Sequence, residues 1–199
     1  MSAAPPGELA QDKAAFGTAM VIVDMISCWD FEDAQKLLPQ AHRIANLVAR
    51  LAQRCRRAGV PVIYANDNRG RWRSDFNSLV DLSICCGGKG MDITRALLPE
   101  STDYFVLKPK HSIFHATPMR LLLQHLQADR LILTGVSSDQ CLLTSVSEAR
   151  MLELDVVMPP DCAASQSPSR HRVLLNQLRH VWKVDVTRSQ NLRFRRKRR

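Results

Sequence analysis

No run in these 199 residues comes near the roughly 18 consecutive apolar residues that a membrane-spanning helix requires. The opening MSAAPPGELAQDKAAF also lacks the basic start and apolar core of a secretory signal. A soluble, cytoplasmic protein is therefore expected. The six cysteines, at 28, 55, 85, 86, 141 and 162, form neither a CxxC pair nor the spacing of a zinc site. A chain of this length buries a core without cross-links, so reduced thiols are expected. Neither GxGxxG nor GxxxxGK[ST] occurs, which removes the usual warrant for a nucleotide. No internal repeat is present, so a solenoid is excluded.

Charge of one sign is scarce except at one end. The formal net charge is +9, but the last seven residues, RFRRKRR, hold six of the 28 Lys and Arg; without them 22 basic residues face 19 acidic ones. The body is nearly balanced. A terminal run of this kind fits a solvated, disordered tail, and it also fits an electrostatic arm for nucleic acid or an anionic surface. The expected organisation is a flexible leader over residues 1–16, one domain over 17–188 and a basic, disordered tail over 189–199.

What is present is an alternation of two patterns. Residues 18–25, TAMVIVDM, are apolar and β-branched and close on an acid, as in a strand buried on both faces with Asp24 at its C-terminal end. From Pro39, apolar residues recur at helical spacing (Ala41, Ile44, Leu47, Val48, Leu51), and Gly59 stands where a helix ends. VPVIYAN (60–66), DYFVLK (103–108), RLILTG (130–135), DVVMP (155–159) and VDV around Asp185 read as further strands. Residues 117–127, 141–152 and 167–180 read as helices, with Thr117 and Ser167 as caps and Pro118 and Pro168 in first position. Between them, residues 67–98 read as a long loop over the sheet edge with one briefly helical stretch, ITRALL. Strands alternating with helices imply an α/β fold, a mainly parallel sheet with helices on both faces. Right-handed crossovers then put every strand's C-terminal end on one side, where such sheets bind ligands.

Three reactive side chains fall at those ends. Cys141 follows the strand 130–135 through the polar turn TGVSSDQ and opens a helix, whose unpaired N–H groups would favour its thiolate. Read alone, such a cysteine is more often a small apolar core residue. Asp24 and Lys108 close two other strands. Together an acid can take the thiol proton, the thiol can attack an electrophilic carbon, and the ammonium can stabilise both anions. That set suffices for amide hydrolysis without histidine.

At this point four stretches, VIVDM, FVLKPKHSIF, TGVSSDQC and VVMPPDCAAS, resemble the isochorismatase-like cysteine hydrolases, which include nicotinamidases, N-carbamoylsarcosine amidohydrolases and ureidoacrylate amidohydrolases. The resemblance covers residues 18–185. It implies a three-layer Rossmann-like fold with a six-stranded parallel sheet, an Asp24–Lys108–Cys141 triad, and a cis peptide before Ser137. Oxyanion donors would be the backbone N–H groups of Ser137 and Cys141. Trp29, His111, Phe114 and Val136 would line the substrate pocket, with Asn66, Arg69, Trp72 and Phe76 as a lid; His111 is given a wall or hydrogen-bonding role.

The departures are equally specific. Nicotinamidases that carry a metal show Asp-x-His after the second strand, whereas here the stretch is Asn66-Asp67-Asn68-Arg69, with no histidine between His42 and His111. No metal and no cofactor are expected. Cys28 stands where the family commonly has an acid, and Gln140 precedes the thiol in place of an apolar residue or His. The implied activity is hydrolysis of a carbon–nitrogen bond in a small amide, carbamoyl or ureido substrate through a Cys141 thioester. The alternatives are an isochorismatase-type vinyl ether hydrolysis, in which the thiol is dispensable, a nucleic-acid-associated protein acting through its tail, and a redox-sensing thiol. Relatives of this kind are often homo-oligomers, and the same is expected here.

Overall fold

The computed structural model describes residues 14–68 and 75–194. Five strands form one parallel sheet: β1 (Thr18–Val23), β2 (Val62–Asp67), β3 (Tyr104–Lys108), β4 (Arg130–Gly135) and β5 (Asp155–Val157), in the order β3-β2-β1-β4-β5. Among the described residues six α-helices accompany them: α1 (Ala34–Arg57), α2 (Phe76–Cys85), α3 (Gly88–Ala96), α4 (Met119–His125), α5 (Leu143–Met151) and α6 (Pro168–His180).

The side-chain alternation of β1 divides the interior in two. Met20 and Ile22 pack with Ala41, Ile44, Val48 and Leu51 of α1 and with Phe76 and Ile93 of α2 and α3. Ala19, Val21 and Val23 face the other way, onto Met119 and Leu123 of α4, Val146 of α5 and Leu174 and Leu178 of α6. All six residues of β1 are buried, which explains why its sequence is apolar without alternation. The strand order runs outward from β1 in both directions. The gap between the C-terminal ends of β1 and β4 is therefore the switch point at which such sheets leave a crevice.

That crevice depends on one glycine. Gly135 closes β4 at φ +108°, and a Cβ there would lie 2.1 Å from the backbone oxygen of Val23. Only a residue without a side chain lets β4 leave the sheet this close to β1.

Several expectations are corrected. The sixth strand is reduced to an isolated bridge between Val157 and Asp185; after Met158, whose N–H reaches Asp185 O, Pro159 and Pro160 have no N–H with which to extend the pairing. The helix expected from Pro39 starts five residues earlier at Ala34, with Pro39 inside it. Pro39 forgoes one helical hydrogen bond, and burial of Ala34 and Leu37 in the core outweighs that loss. At its other end α1 stops as expected: Gly59 has φ +68°, its N–H reaches Arg56 O, and Val60 N–H reaches back to Cys55 O.

The largest correction concerns residues 67–98, which are not one loop. Asp75 caps α2 by accepting from Ser78 N at 2.9 Å, and Phe76, Leu79 and Ser83 form its buried face. In α3, Gly90 makes room for the Trp29 indole, whose Cδ1 would be 2.6 Å from a Cβ at that position. Nor are all the thiols reduced: Cys28 and Cys86 form a disulfide with Cα atoms 5.5 Å apart, tying the segment after β1 to the end of α2. Cys55, Cys85, Cys141 and Cys162 are free.

The expected tail boundary also moves. Ser189 donates to Asp161 through both its N–H and its hydroxyl, Arg54 binds the carbonyls of Ser189 and Leu192, and Phe194 lies under the Arg54 guanidinium. Residues 189–194 thus dock on the body, and residues 195–199, the bulk of the basic run, lie outside the described residues.

Candidate active site

Asp24 follows β1 directly. Its backbone takes a left-handed conformation, φ 53°, one of the few non-glycine residues to do so. Its Oδ1 accepts from Asp67 N–H at 2.9 Å, which anchors the carboxylate to the end of β2. Its Oδ2 meets Lys108 Nζ at 2.8 Å. Lys108, the last residue of β3, is fully buried, contrary to the usual habit of a lysine at a strand end. The ammonium is held by further acceptors: Lys110 O at 3.3 Å, the Cys141 sulfur at 3.8 Å and the Asp67 carboxylate at 4.0 Å.

Cys141 sits in a π-helical turn, Ser138–Leu142, that precedes α5, so it lies inside a helical turn and not at its first position. The Val136–Ser137 peptide leading into this turn is cis. The turn is braced from two sides. Ser137 Oγ binds the Asp139 carboxylate, which in turn pairs with Arg170 of α6 at 2.5 Å. Ser138 Oγ lies 3.0 Å from His171 Nδ1, while His171 Nε2 lies 3.1 Å from Pro160 O. A carbonyl only accepts, so Nε2 carries the ring proton and Nδ1 accepts from the serine. The Cys141 carbonyl receives Ser145 Oγ at 2.6 Å, and that hydroxyl receives Ile113 N–H at 3.1 Å. The loop after β3 is thereby joined to the turn that carries the thiol.

The expected acidity of this thiol is not found. Burial pushes the Cys141 thiol up to about 12, the Asp24 carboxylate adds to the rise, and Lys108 and the Ser137 backbone N–H pull against it. Desolvation outweighs the helix-terminus effect because Cys141 is only 9% exposed. The thiol lies beside the Asp24 carboxylate, with the Lys108 ammonium 3.8 Å from its sulfur. Lys108 shows the opposite balance. Burial disfavours its charge, yet Asp24, Cys141 and Asp67 together raise its pKa above the ordinary value.

These groups open onto a cavity of about 380 Å³. Ile26, Phe31, Leu37 and Val136 form its apolar wall, and Asp24, Asn66, His111, Gln140 and Cys141 its polar one. Of the side chains expected here, the structure brings together Asp24, Lys108, Cys141, Ser137, Val136, His111 and Asn66. It does not bring in Trp29, which packs over Gly90, nor Phe114, which packs in the core with Met119 and Leu123 and does not line the cavity. Phe76 stacks on Phe105 at 5.2 Å and is core. Arg69 and Trp72 lie outside the described residues. Asn66 donates to Ile26 O at 2.8 Å and so fixes the segment after β1, while its buried Oδ1 has no hydrogen-bond partner among the described residues.

Sequence reasoning missed Phe31 and Leu37, which point into the cavity from the segment before α1 and from its first turn. Leu37 was hidden because the helix was expected to begin after it. Asp139, Arg170 and His171 were missed as well, since α6 meets the turn only through tertiary packing. Among the described residues no group of three or more His, Cys, Asp or Glu side chains is placed to hold a metal ion.

With an acid, an amine and a thiol converging on one crevice, the comparison with known proteins becomes informative. Residues 18–190 match the isochorismatase domain model. The chain belongs to the isochorismatase family. As a member of that family it is a hydrolase. An uncharacterized isochorismatase family protein of Bacillus subtilis (strain 168), YaaI, is 31% identical over 174 residues, covering 87% of this chain and 95% of its own. Among solved structures, an isochorismatase-like hydrolase from Alkaliphilus metalliredigens superposes with a TM-score of 0.70 at 22% identity, over 87% of this chain and 95% of that one. The N-carbamoylsarcosine amidase of Thermoplasma acidophilum gives a TM-score of 0.68 at 22% identity, over 88% and 98% of the two chains. The nicotinamidase SaPncA of Staphylococcus aureus gives 0.67 at 17%, over 88% and 98%. At such identities these structures attest the fold of this isochorismatase-family chain.

Proposed function

We propose that this isochorismatase-family protein is a cysteine hydrolase that cleaves a carbon–nitrogen bond in a small amide, carbamoyl or ureido substrate. The observation that carries the reading is the placement of Asp24, Lys108 and Cys141 around one sulfur at the mouth of the β1–β4 crevice. The amidase and nicotinamidase among its structural neighbours support the choice of bond.

Asp24 takes the thiol proton as the Cys141 sulfur attacks the carbonyl carbon. The oxygen of the tetrahedral intermediate accepts from the backbone N–H groups of Ser137 and Cys141, donors worth about 3 to 4 kcal/mol each in such sites. On collapse the carbon–nitrogen bond breaks, Asp24 returns the proton to the departing nitrogen, and the acyl group stays on sulfur as a thioester. Asp24 then takes a proton from water, whose oxygen attacks the thioester; the carbon–sulfur bond breaks and the sulfur recovers its proton. Lys108 remains an ammonium throughout, paired with Asp24 at 2.8 Å. The need for a base in contact with the thiol follows from its raised pKa.

The test is a panel of amides and ureides offered to the wild type and to Cys141→Ala, with mass detection of an acyl adduct. Turnover and an adduct that both require Cys141 support the reading. Turnover that survives Cys141→Ala would instead favour a vinyl ether or other thiol-independent hydrolysis.

A further inference from the structure

A histidine touches the sulfur as well. His111 Nδ1 lies 3.6 Å from Cys141 Sγ, slightly closer than Lys108 Nζ at 3.8 Å. The lysine is committed elsewhere, since its short contact is to Asp24 at 2.8 Å. A thiolate formed at this buried position therefore has few close donors, and burial is the largest influence opposing its charge.

His111 is also held where it stands. Lys108 Nζ donates to Lys110 O, Phe114 N–H and Ser112 Oγ bond to each other, Ser112 Oγ reaches Glu148 of α5 at 2.5 Å, and Ile113 N–H reaches Ser145. The short segment bearing the imidazole is thus pinned to β3 on one side and to α5 on the other. Its ring lines the cavity while the residue as a whole remains exposed.

Resting on the cysteine hydrolase reading, we propose that His111 is a fourth catalytic residue, whose Nδ1–H donates to the Cys141 thiolate each time it forms. In acylation the thiol proton goes to Asp24, the sulfur pair forms the bond to carbon, and the Nδ1–H supports the sulfur until it does. In deacylation the carbon–sulfur bond breaks, the pair returns to sulfur, and the same N–H receives it before the proton arrives from Asp24. No net proton passes through the imidazole. The charged and titratable groups around this contact are Asp24 from the end of β1, Asp67 from β2 and Lys108 from β3, with Glu148 of α5 bound to the neighbouring Ser112.

The test reads the sulfur without turnover. The rate at which iodoacetamide alkylates Cys141, located by mass spectrometry, is followed against pH in the wild type, His111→Ala and His111→Asn. The Asn amide N–H overlays the position of Nδ1–H. His111→Ala should move the alkylation profile to higher pH and slow the reaction at a fixed neutral pH by tenfold or more, the worth of about one hydrogen bond to a charged group. His111→Asn should recover most of it, with thermal unfolding unchanged in both. An unmoved profile in His111→Ala overturns the inference, and so does an equal shift in both variants accompanied by lower thermal stability. A His111-dependent profile in a protein that turns over no amide or ureide would remove the hydrolase reading and leave the thiolate contact in place.

Discussion

Replacing Lys108 by Met keeps the length and apolar stem of the side chain and deletes only the ammonium. Lys108 is fully buried and its Nζ lies 2.8 Å from Asp24 Oδ2, whose side chain is 18% exposed. Removing one member of such a pair leaves a carboxylate with little solvent to compensate it, a loss of about 3 to 5 kcal/mol. For a domain whose total stability is about 5 to 15 kcal/mol, that is a large share. The companion variants separate the ion pair from simple packing. Asp24→Asn alone strands a buried ammonium and should cost a similar amount, whereas Asp24→Asn with Lys108→Met removes both charges and should recover much of either loss. Urea denaturation of the four proteins gives the coupling directly. The sign of the pH dependence is also set. Because the folded pKa of Lys108 is raised, its contribution is full below the unfolded value of about 10.4 and is lost as pH rises through the folded one. The coupling should therefore be the same at pH 7 and pH 9. A Lys108→Met penalty below about 1 kcal/mol, or losses that merely add in the double variant, would refute the claim that this pair is a coupled, desolvated unit.

Other expectations rest on separate features. Gly135→Ala forces a Cβ to 2.1 Å from the Val23 carbonyl oxygen at φ +108°, so it should cost more than about 4 kcal/mol or prevent folding, as read from the urea midpoint. Opening the Cys28–Cys86 bond, which spans 58 residues, should lower stability by up to about 4 kcal/mol on the chain-entropy account, measured with and without reductant and absent in Cys86→Ala. Burial holds the His171 imidazole below its ordinary pKa, with the Pro160 carbonyl and Asp139 pulling the other way. Its stabilisation is then present above about pH 6.5 and lost as pH falls through the lowered value; His171→Asn should flatten the fall in unfolding free energy between pH 7.5 and 5.5.

The parts of this protein legible in one dimension are those governed by local periodicity. β1, α1 beyond Pro39 and α6 with its Ser167 cap followed from apolar spacing and end signals, because strand and helix repeats are properties of the chain itself. The segment 67–98 failed for an identifiable reason. Polar and glycine-rich sequence masks the helical pattern of α2 and α3: Gly87 and Gly88 take positive φ where α3 begins, and Gly90 serves to admit Trp29. The disulfide was equally out of reach, since its cysteines stand 58 positions apart and only the packing of α2 beside the segment after β1 brings them together.

For the site the division is sharper. The order of Asp24, Lys108 and Cys141, each after an apolar run, was enough to name the acid, the amine and the thiol, because parallel topology sends all strand ends one way. The sequence by itself determined that toolkit and the layered fold that carries it. Only the tertiary structure decided how its members are arranged and what surrounds them. Burial pushes the Cys141 thiol up where a helix start had suggested acidity, the ends of β1 and β3 pair Asp24 with Lys108, and a loop tied to α5 sets His111 against the sulfur. Desolvation and the distance between side chains depend on what surrounds a residue on every side, and no local pattern along the chain records that.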